Sequence, residues 1–453
     1  MNQERLIIIG GDAAGMSAAS RVRKLKPDME LLVFERSGFV SYAACGMPYL
    51  ISNKVKSAGD LVIYDARFFK EKRGIDVFLH HEVRKILPQE KRVLIHNEDT
   101  GEEKEYSYDR LLIATGARPL IPPIKGLNLK GVFTLRLLEE GKAIKEYILN
   151  KSPKKGIILG GGYIGMEMAE AFTEMGIAVT VVEKMPCILG TMDDEVTQII
   201  EDELKRNNVT LIKSKAIVEF AGNDNYVSKA ILDDGESLDA SIVLIGAGIR
   251  PNSEIAGSAG IELEKGAIKV NKKMETNISG IYAAGDCAEA YHLILRRNTY
   301  IPLGTTANKQ GRVAAENIAG KDVVFPGIVG TSVFKVFALE VGRTGITARD
   351  AQNEGIDFIT KVIDHISRAH YYPGYSQIRI KLVANKKTGI LLGAQMVGKE
   401  GISQRINVFA TAITAKMNVH EIGNLDLGYA PPFSPVFDPI LISAEELQKD
   451  IIN

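Results

Sequence analysis

Tryptophan is absent from the 453 residues of this chain, and cysteine occurs only three times, at Cys45, Cys187 and Cys287. Three widely spaced cysteines make no disulfide framework. There is no CxxC pair and no Cys/His cluster, so no structural zinc site and no other metal is expected. Neither sign of charge dominates, since Lys plus Arg and Asp plus Glu both number 56. That balance gives no reason to expect nucleic acid or an anionic membrane as a partner. No apolar run reaches the roughly 18 residues that a membrane span requires. The N-terminal Met1-Asn-Gln-Glu-Arg5 leads straight into a short apolar strand, without the longer apolar stretch of a signal peptide. A cytoplasmic protein is therefore expected, in which each cysteine is either a small buried hydrophobe or a reactive thiol.

What the chain has in quantity is glycine, 43 residues of it, and the glycines cluster. Two segments share one plan of strand, glycine turn, helix, strand and acid. The first runs Leu6-Ile-Ile-Ile9, Gly10-Gly-Asp-Ala-Ala-Gly15, a small-residue helix to about Lys24, and Leu31-Leu-Val-Phe34 ending at Glu35. The second runs Gly156-Ile-Ile-Leu159, Gly160-Gly-Gly-Tyr-Ile-Gly165, a helix from Met166 to about Met175, and Val179-Thr-Val-Val182 ending at Glu183. This is an internal repeat of a βαβ dinucleotide-binding unit. The tight turn needs glycine, and a pyrophosphate is drawn to free N–H groups at a helix N-terminus. The last glycine lets helix and strand pack closely, and the acid accepts hydrogen bonds from ribose hydroxyls. The second copy fits GxGxxG fully, whereas the first carries Asp12 at the middle glycine.

Tyr108 to Pro119 and Thr276 to Asp286 each read as an apolar strand closing on a glycine turn. Beyond Phe325-Pro-Gly327, short alternating strands appear near 331–337, 358–364, 377–383 and 390–397, followed by a helical pattern from Ile402 to Lys416. The expected fold class is α/β, with two Rossmann-like units and a C-terminal α+β domain.

Together these blocks resemble the flavin-dependent pyridine nucleotide–disulfide oxidoreductases over essentially the whole chain. The match rests on Gly10 to Gly15 with Glu35, Ala114-Thr-Gly116, Gly160 to Gly165 with Glu183, and Ala284-Gly-Asp286. The resemblance implies a glutathione reductase-like arrangement. FAD would be held by a discontinuous domain of residues 1–118 and 250–324, and NAD(P)H by residues 119–249. Residues 325–453 would form a dimerisation domain in a homodimer. It implies FAD contacts from Gly10, Ala14, Gly15, Glu35, Arg36 and Val83, from Ala114, Thr115 and Gly116, and from Gly285, Asp286 and Ala307. Nicotinamide-nucleotide contacts would come from Gly160, Gly162, Tyr163, Ile164, Gly165, Glu183 and Gly248. Glu183 favours NADH, because a carboxylate accepts from a 2′-hydroxyl and repels a 2′-phosphate; NADPH is the alternative.

The cysteine block narrows the resemblance. Glutathione reductase-like members have CxxxxC, whereas this chain has Ser41-Tyr-Ala-Ala-Cys-Gly-Met-Pro-Tyr49 followed by Leu50. That looks like the single-cysteine branch, which contains coenzyme A disulfide reductases, CoA-dependent NADH oxidases, CoA-persulfide or polysulfide reductases and NADH peroxidases. The peroxidases carry a histidine where this chain has Ala13. Tyr371-Tyr-Pro-Gly374 and Tyr429-Ala-Pro-Pro432 match the CoA-disulfide members, while Ala44 and Asp12 depart from them. Cys45 is thus expected to be the redox centre, at a helix start that lowers its thiol pKa, and to rest as a mixed disulfide with CoA or as a sulfenic acid. Tyr371 and Tyr429 are expected to assist from the partner chain. Coenzyme A, as disulfide, persulfide or bound thiol, would meet Ser17, Arg21, Lys24, Ser41, Arg73 and Asn308. Cys187 and Cys287 are expected to be structural. A non-catalytic redox-sensing flavoprotein is the rival reading from another class.

Overall fold

The computed structural model describes residues 3–451. Its first sheet has five parallel strands, in the order Ile281–Ala283, Arg110–Ile113, Arg5–Ile9, Glu30–Phe34, Asp76–Phe78. The register sets Ile7 against Leu32 on one side and Leu111 on the other. Leu6, Ile7 and Ile8 are wholly buried, as a central parallel strand covered on both faces requires. Helices Ala13–Leu25 and Gly304–Ile318 pack against one another beside this sheet. An antiparallel sheet of His81–Leu87, Arg92–Asn97 and Glu103–Ser107 is added to the same unit.

A second five-stranded parallel sheet follows the same logic, in the order Thr210–Lys213, Ala178–Glu183, Lys155–Leu159, Ile242–Ile245, Val132–Phe133. The chain enters and leaves this region through two short strands, Ala117–Pro119 and Ile249–Pro251, which pair antiparallel. Beside these paired crossings, the helix Met47–Ile51 of the first unit packs on the helices Leu138–Lys151 and Tyr163–Glu174 of the second. The third sheet is antiparallel throughout, in the order Ser332–Val336, Leu339–Gly345, Leu391–Gly398, Gln377–Asn385, Phe358–Ile366. Helices Ile402–Thr414 and Pro439–Ile451 pack on it. The sequence pattern marks four of these strands and misses Leu339–Gly345 and the last helix. Among the described residues no helix is long and apolar enough to cross a membrane.

Candidate active site

The two glycine turns share one backbone plan at their first and last glycines. Gly10 has φ +104° and Gly160 has φ +106°, and a Cβ there would lie 2.2 Å from the Ala114 carbonyl oxygen or 2.4 Å from that of Gly246. A Cβ on Gly15 or Gly165 would fall 1.9 or 2.1 Å from the carbonyl oxygen of Gly10 or Gly160. Only glycine allows this turn, and the turn is what delivers a helix N-terminus to the strand end. The acids close each turn from the next strand. Glu35 accepts from Gly11 N at 2.8 Å and Ser37 N at 2.8 Å; Glu183 accepts from Gly161 N at 2.7 Å and Met185 N at 2.7 Å. Each carboxylate keeps lone pairs for a further donor such as a ribose hydroxyl. Neither helix is capped by a side chain, so the first-turn N–H groups stay free for an anion. These cradles fit two dinucleotides.

Around the first turn the expected contacts converge. A Cβ on Gly285 would meet the Ala14 and Ala307 methyl groups at 3.0 and 3.5 Å, so three small residues leave room beside the helix start. The Gly285 N–H donates to the side chain of buried Gln310 at 2.8 Å, which in turn donates to Glu289 O. Asp286 pairs with Arg136 at 2.7 Å. The Thr115 hydroxyl donates to Asn252 O, the Asn252 side-chain amide donates to Thr115 O, and the Asn252 backbone N–H donates to Gly116 O. Of the other expected contacts, Arg36 is exposed next to Glu35, Gly248 lies where Leu120 N reaches its carbonyl, and Ile164 follows Tyr163 on the second helix. Val83 has its side chain in the core opposite Ile95, so any nucleotide contact falls to its backbone.

Cys45 lies in the short 3-10 turn Ala44–Gly46 that runs into the helix Met47–Ile51. Cys45 is exposed to solvent. The expected helix-start lowering of its thiol pKa is overturned. Burial raises it first and the Glu167 carboxylate next, Arg136 acts the other way, and Asp12 and Asp286 add to the rise. The turn is too short for a dipole that outweighs desolvation. Glu167 is itself pushed up to about 7, by burial and then by Glu170 one turn along the helix. Tyr163 points its ring edge at Phe334 and its hydroxyl at Thr191, 2.9 Å away. Cys287 is buried and bonded to backbone carbonyls; Cys187 lies beside the Arg349 guanidinium.

Next to the Ser41–Cys45 loop opens a cavity of about 740 Å³. All six residues expected to hold coenzyme A, namely Ser17, Arg21, Lys24, Ser41, Arg73 and Asn308, line it. They come from four separate stretches of sequence. Arg73 lies over the Tyr64 ring at 5.2 Å, Ser17 donates to Asn308, and Arg21 pairs with Glu316. In the C-terminal region the tyrosine pair also comes together. The Tyr371 and Tyr429 hydroxyls are 3.0 Å apart, although both rings are largely exposed. That bond holds the Tyr429 phenol above its usual range. Phe433 and Phe437, close in sequence to Tyr429, are likewise 78% and 63% exposed.

A family model described as pyridine nucleotide-disulphide oxidoreductase matches residues 4–311, and the dimerisation domain of the same description matches residues 331–439. The chain belongs to this family. Among its relatives, an NAD(P)H coenzyme A polysulfide/persulfide reductase of Pyrococcus horikoshii is 42% identical, covering 98% of this chain and 99% of that protein. A coenzyme A disulfide reductase of Staphylococcus haemolyticus is 32% identical over 95% of this chain and 96% of its own length. Among solved structures, the reduced CoADR-RHD protein of Bacillus anthracis superposes with a TM-score of 0.97 at 34% identity, over 100% of this chain and 81% of that one.

Within the family frame, Arg136, Glu167 and Arg312 are the site residues that sequence reasoning missed. Arg136 belongs to no glycine block. Glu167 stands two residues beyond the last glycine of the second turn, and Arg312 shares a helix with Asn308. Only the fold brings Arg136 to Asp286, Glu167 to Cys45 and Arg312 to the cavity.

Proposed function

We propose that this chain is an FAD-dependent NAD(P)H oxidoreductase that reduces the sulfur–sulfur bond of a coenzyme A disulfide or persulfide through Cys45. The observation that carries this reading is the cavity, where Arg21, Lys24, Arg73 and Arg312 face a space that runs to the cysteine loop. A cationic, aromatic-edged cavity of this size suits a phosphorylated adenine nucleotide that ends in a thiol. The balance is NADH + H⁺ + CoA–S–S–CoA giving NAD⁺ + 2 CoA–SH. For the persulfide, NADH + H⁺ + CoA–S–SH gives NAD⁺ + CoA–SH + H₂S. The flavin supplies the two-electron route between nicotinamide and sulfur.

The chain's own residues supply the rest. Gly10 to Gly15, Ala14, Glu35, Gly285, Asp286 and Ala307 hold FAD, and Gly160 to Gly165 with Glu183 hold the nicotinamide nucleotide, NADH in preference to NADPH. Cys45 attacks one sulfur of the acceptor as thiolate and becomes the mixed disulfide, and the departing thiolate takes a proton. Tyr371 and Tyr429, hydrogen-bonded as a pair, are the donors we assign for that proton. Because both rings stand exposed on the dimerisation region, we assign them to the partner's site in a homodimer. We assign residues 1–118 and 250–324 to FAD, 119–249 to NAD(P)H and 325–453 to dimerisation; the paired crossing strands at 117–119 and 249–251 support the limits of the middle domain. Three unpaired cysteines support a reducing compartment, the cytoplasm.

The test is anaerobic turnover with NADH against CoA disulfide, CoA persulfide and inorganic polysulfide in parallel, with oxygen as a fourth acceptor. CoA-linked acceptors are expected to be the fastest. Cys45→Ser should keep its flavin and its bleaching by NADH but lose disulfide turnover by orders of magnitude. Turnover at the wild-type rate in that variant would refute the role of Cys45.

A further inference from the structure

Asp12 stands where the second glycine turn has Gly162. The backbone is extended at both, φ −105° with ψ −149° at Asp12 and φ −80° with ψ −173° at Gly162. A Cβ on Gly162 would meet nothing within 4 Å. Geometry therefore tolerates a side chain here, and what remains to be explained is why a carboxyl occupies a phosphate cradle.

Three observations bear on it. Asp at an N-cap ordinarily accepts from the first-turn N–H groups, yet Asp12 makes no capping bond, so those donors are left for an anion. The neighbourhood is already acidic. Glu35 faces Asp12 from the end of the second strand and Asp286 from the strand-end turn, while the single facing cation, Arg136, is bound to Asp286 at 2.7 Å. The Tyr42 backbone N–H donates to the Asp12 carboxyl from the cysteine loop and acts weakest, in favour of the ionised form, while Arg312 and Glu316 line the same cavity as Asp12 from the neighbouring helix. Three carboxyls and one engaged guanidinium leave excess negative charge where a diphosphate must also sit. Burial, then Glu35, pushes the Asp12 carboxyl up to about 7 before any ligand charge is added.

We propose that Asp12 holds the flavin diphosphate as a neutral carboxylic acid, so that flavin binding takes up one proton at neutral and alkaline pH. A protonated carboxyl donates one hydrogen bond to a phosphate oxygen, whereas an ionised one repels it. The inference rests on the reading of this turn as the flavin site.

The experiment uses the protein as purified with its flavin. The apparent dissociation constant is taken from the partition of flavin between protein and ultrafiltrate, read by flavin fluorescence, from pH 6 to 9. For the wild type it should be flat to about pH 7 and then rise toward tenfold per pH unit, the slope for uptake of one proton. Asp12→Asn, a neutral donor, should bind as tightly as the wild type at pH 6 and lose the slope. Asp12→Gly, which restores the glycine of the other turn, should also be flat and guards against a local folding defect in the amide variant. A slope that persists in both variants, a flat wild-type curve, or loss of flavin from Asp12→Asn at pH 6 would each overturn the proposal. A purified protein that carries no flavin at any pH would instead refute the flavin reading beneath it.

Discussion

Gly311 offers a test of how the first helix is held at the flavin turn. It lies on the helix Gly304–Ile318, which packs directly on the helix Ala13–Leu25. A Cβ at 311 would sit 2.3 Å from the Ala14 carbonyl oxygen, 3.0 Å from its carbon and 3.1 Å from its Cα. All three are backbone atoms of the turn's first helical residues, so no side chain can swing aside. Restoring ordinary contact needs the two helices to part by about 1 Å. Overpacking of this kind costs about 1–3 kcal/mol. For a domain of this size that lowers Tm by about 2 to 12 °C. The displaced residue is Ala14, on the turn assigned to FAD, so flavin affinity should fall as well, by about fivefold or more for each 1 kcal/mol transmitted. Gly311→Ala is to be compared by differential scanning calorimetry and flavin retention with Gly304→Ala on the same helix, where a Cβ meets nothing within 4 Å. The second change should be neutral or slightly stabilising, because alanine favours the helix by about 1 kcal/mol. Wild-type Tm and flavin content in Gly311→Ala would refute the close approach as the feature that positions the turn.

Three further outcomes are expected. Tyr371→Phe and Tyr429→Phe should leave dimer, flavin and flavin bleaching by NADH intact and slow acceptor reduction, the double variant by about 100-fold if the pair acts as general acid; wild-type turnover in the double variant would leave only a packing role. The ratio of kcat/KM for NADH over NADPH should exceed about tenfold if Glu183 takes the ribose as we assign it, since a 2′-phosphate would then have to approach its charge at a cost near 1.4 kcal/mol; a clear NADPH preference would sink that assignment. Glu167→Gln should move the midpoint of Cys45 alkylation to lower pH, because it removes the largest of the charges that raise the thiol. The effect should vanish below about pH 6, where Glu167, raised to about 7, is already neutral. Alkylation is followed on the Cys45 peptide by mass spectrometry, and an unchanged midpoint would deny the coupling.

The repeated glycine turns and their terminal acids were legible from the residues alone. Those features are local. A positive φ, the close approach of Gly15 to Gly10 and a helix N-terminus are encoded within a few consecutive residues. The strand Leu339–Gly345 escaped because its neighbour lies two residues away with little turn chemistry between them, so the pattern reads as a single strand. Tertiary structure alone decided three matters. It gathered Ser17, Ser41, Arg73 and Asn308 around one cavity, since chain crossings and not spacing set that convergence. It placed the Tyr371 and Tyr429 hydroxyls within 3.0 Å of each other across 58 residues of sequence. And it reversed the sign of the Cys45 shift. A helix start can be read from sequence, but the desolvation and the distant Glu167 charge that outweigh it depend on which residues the fold packs around the sulfur.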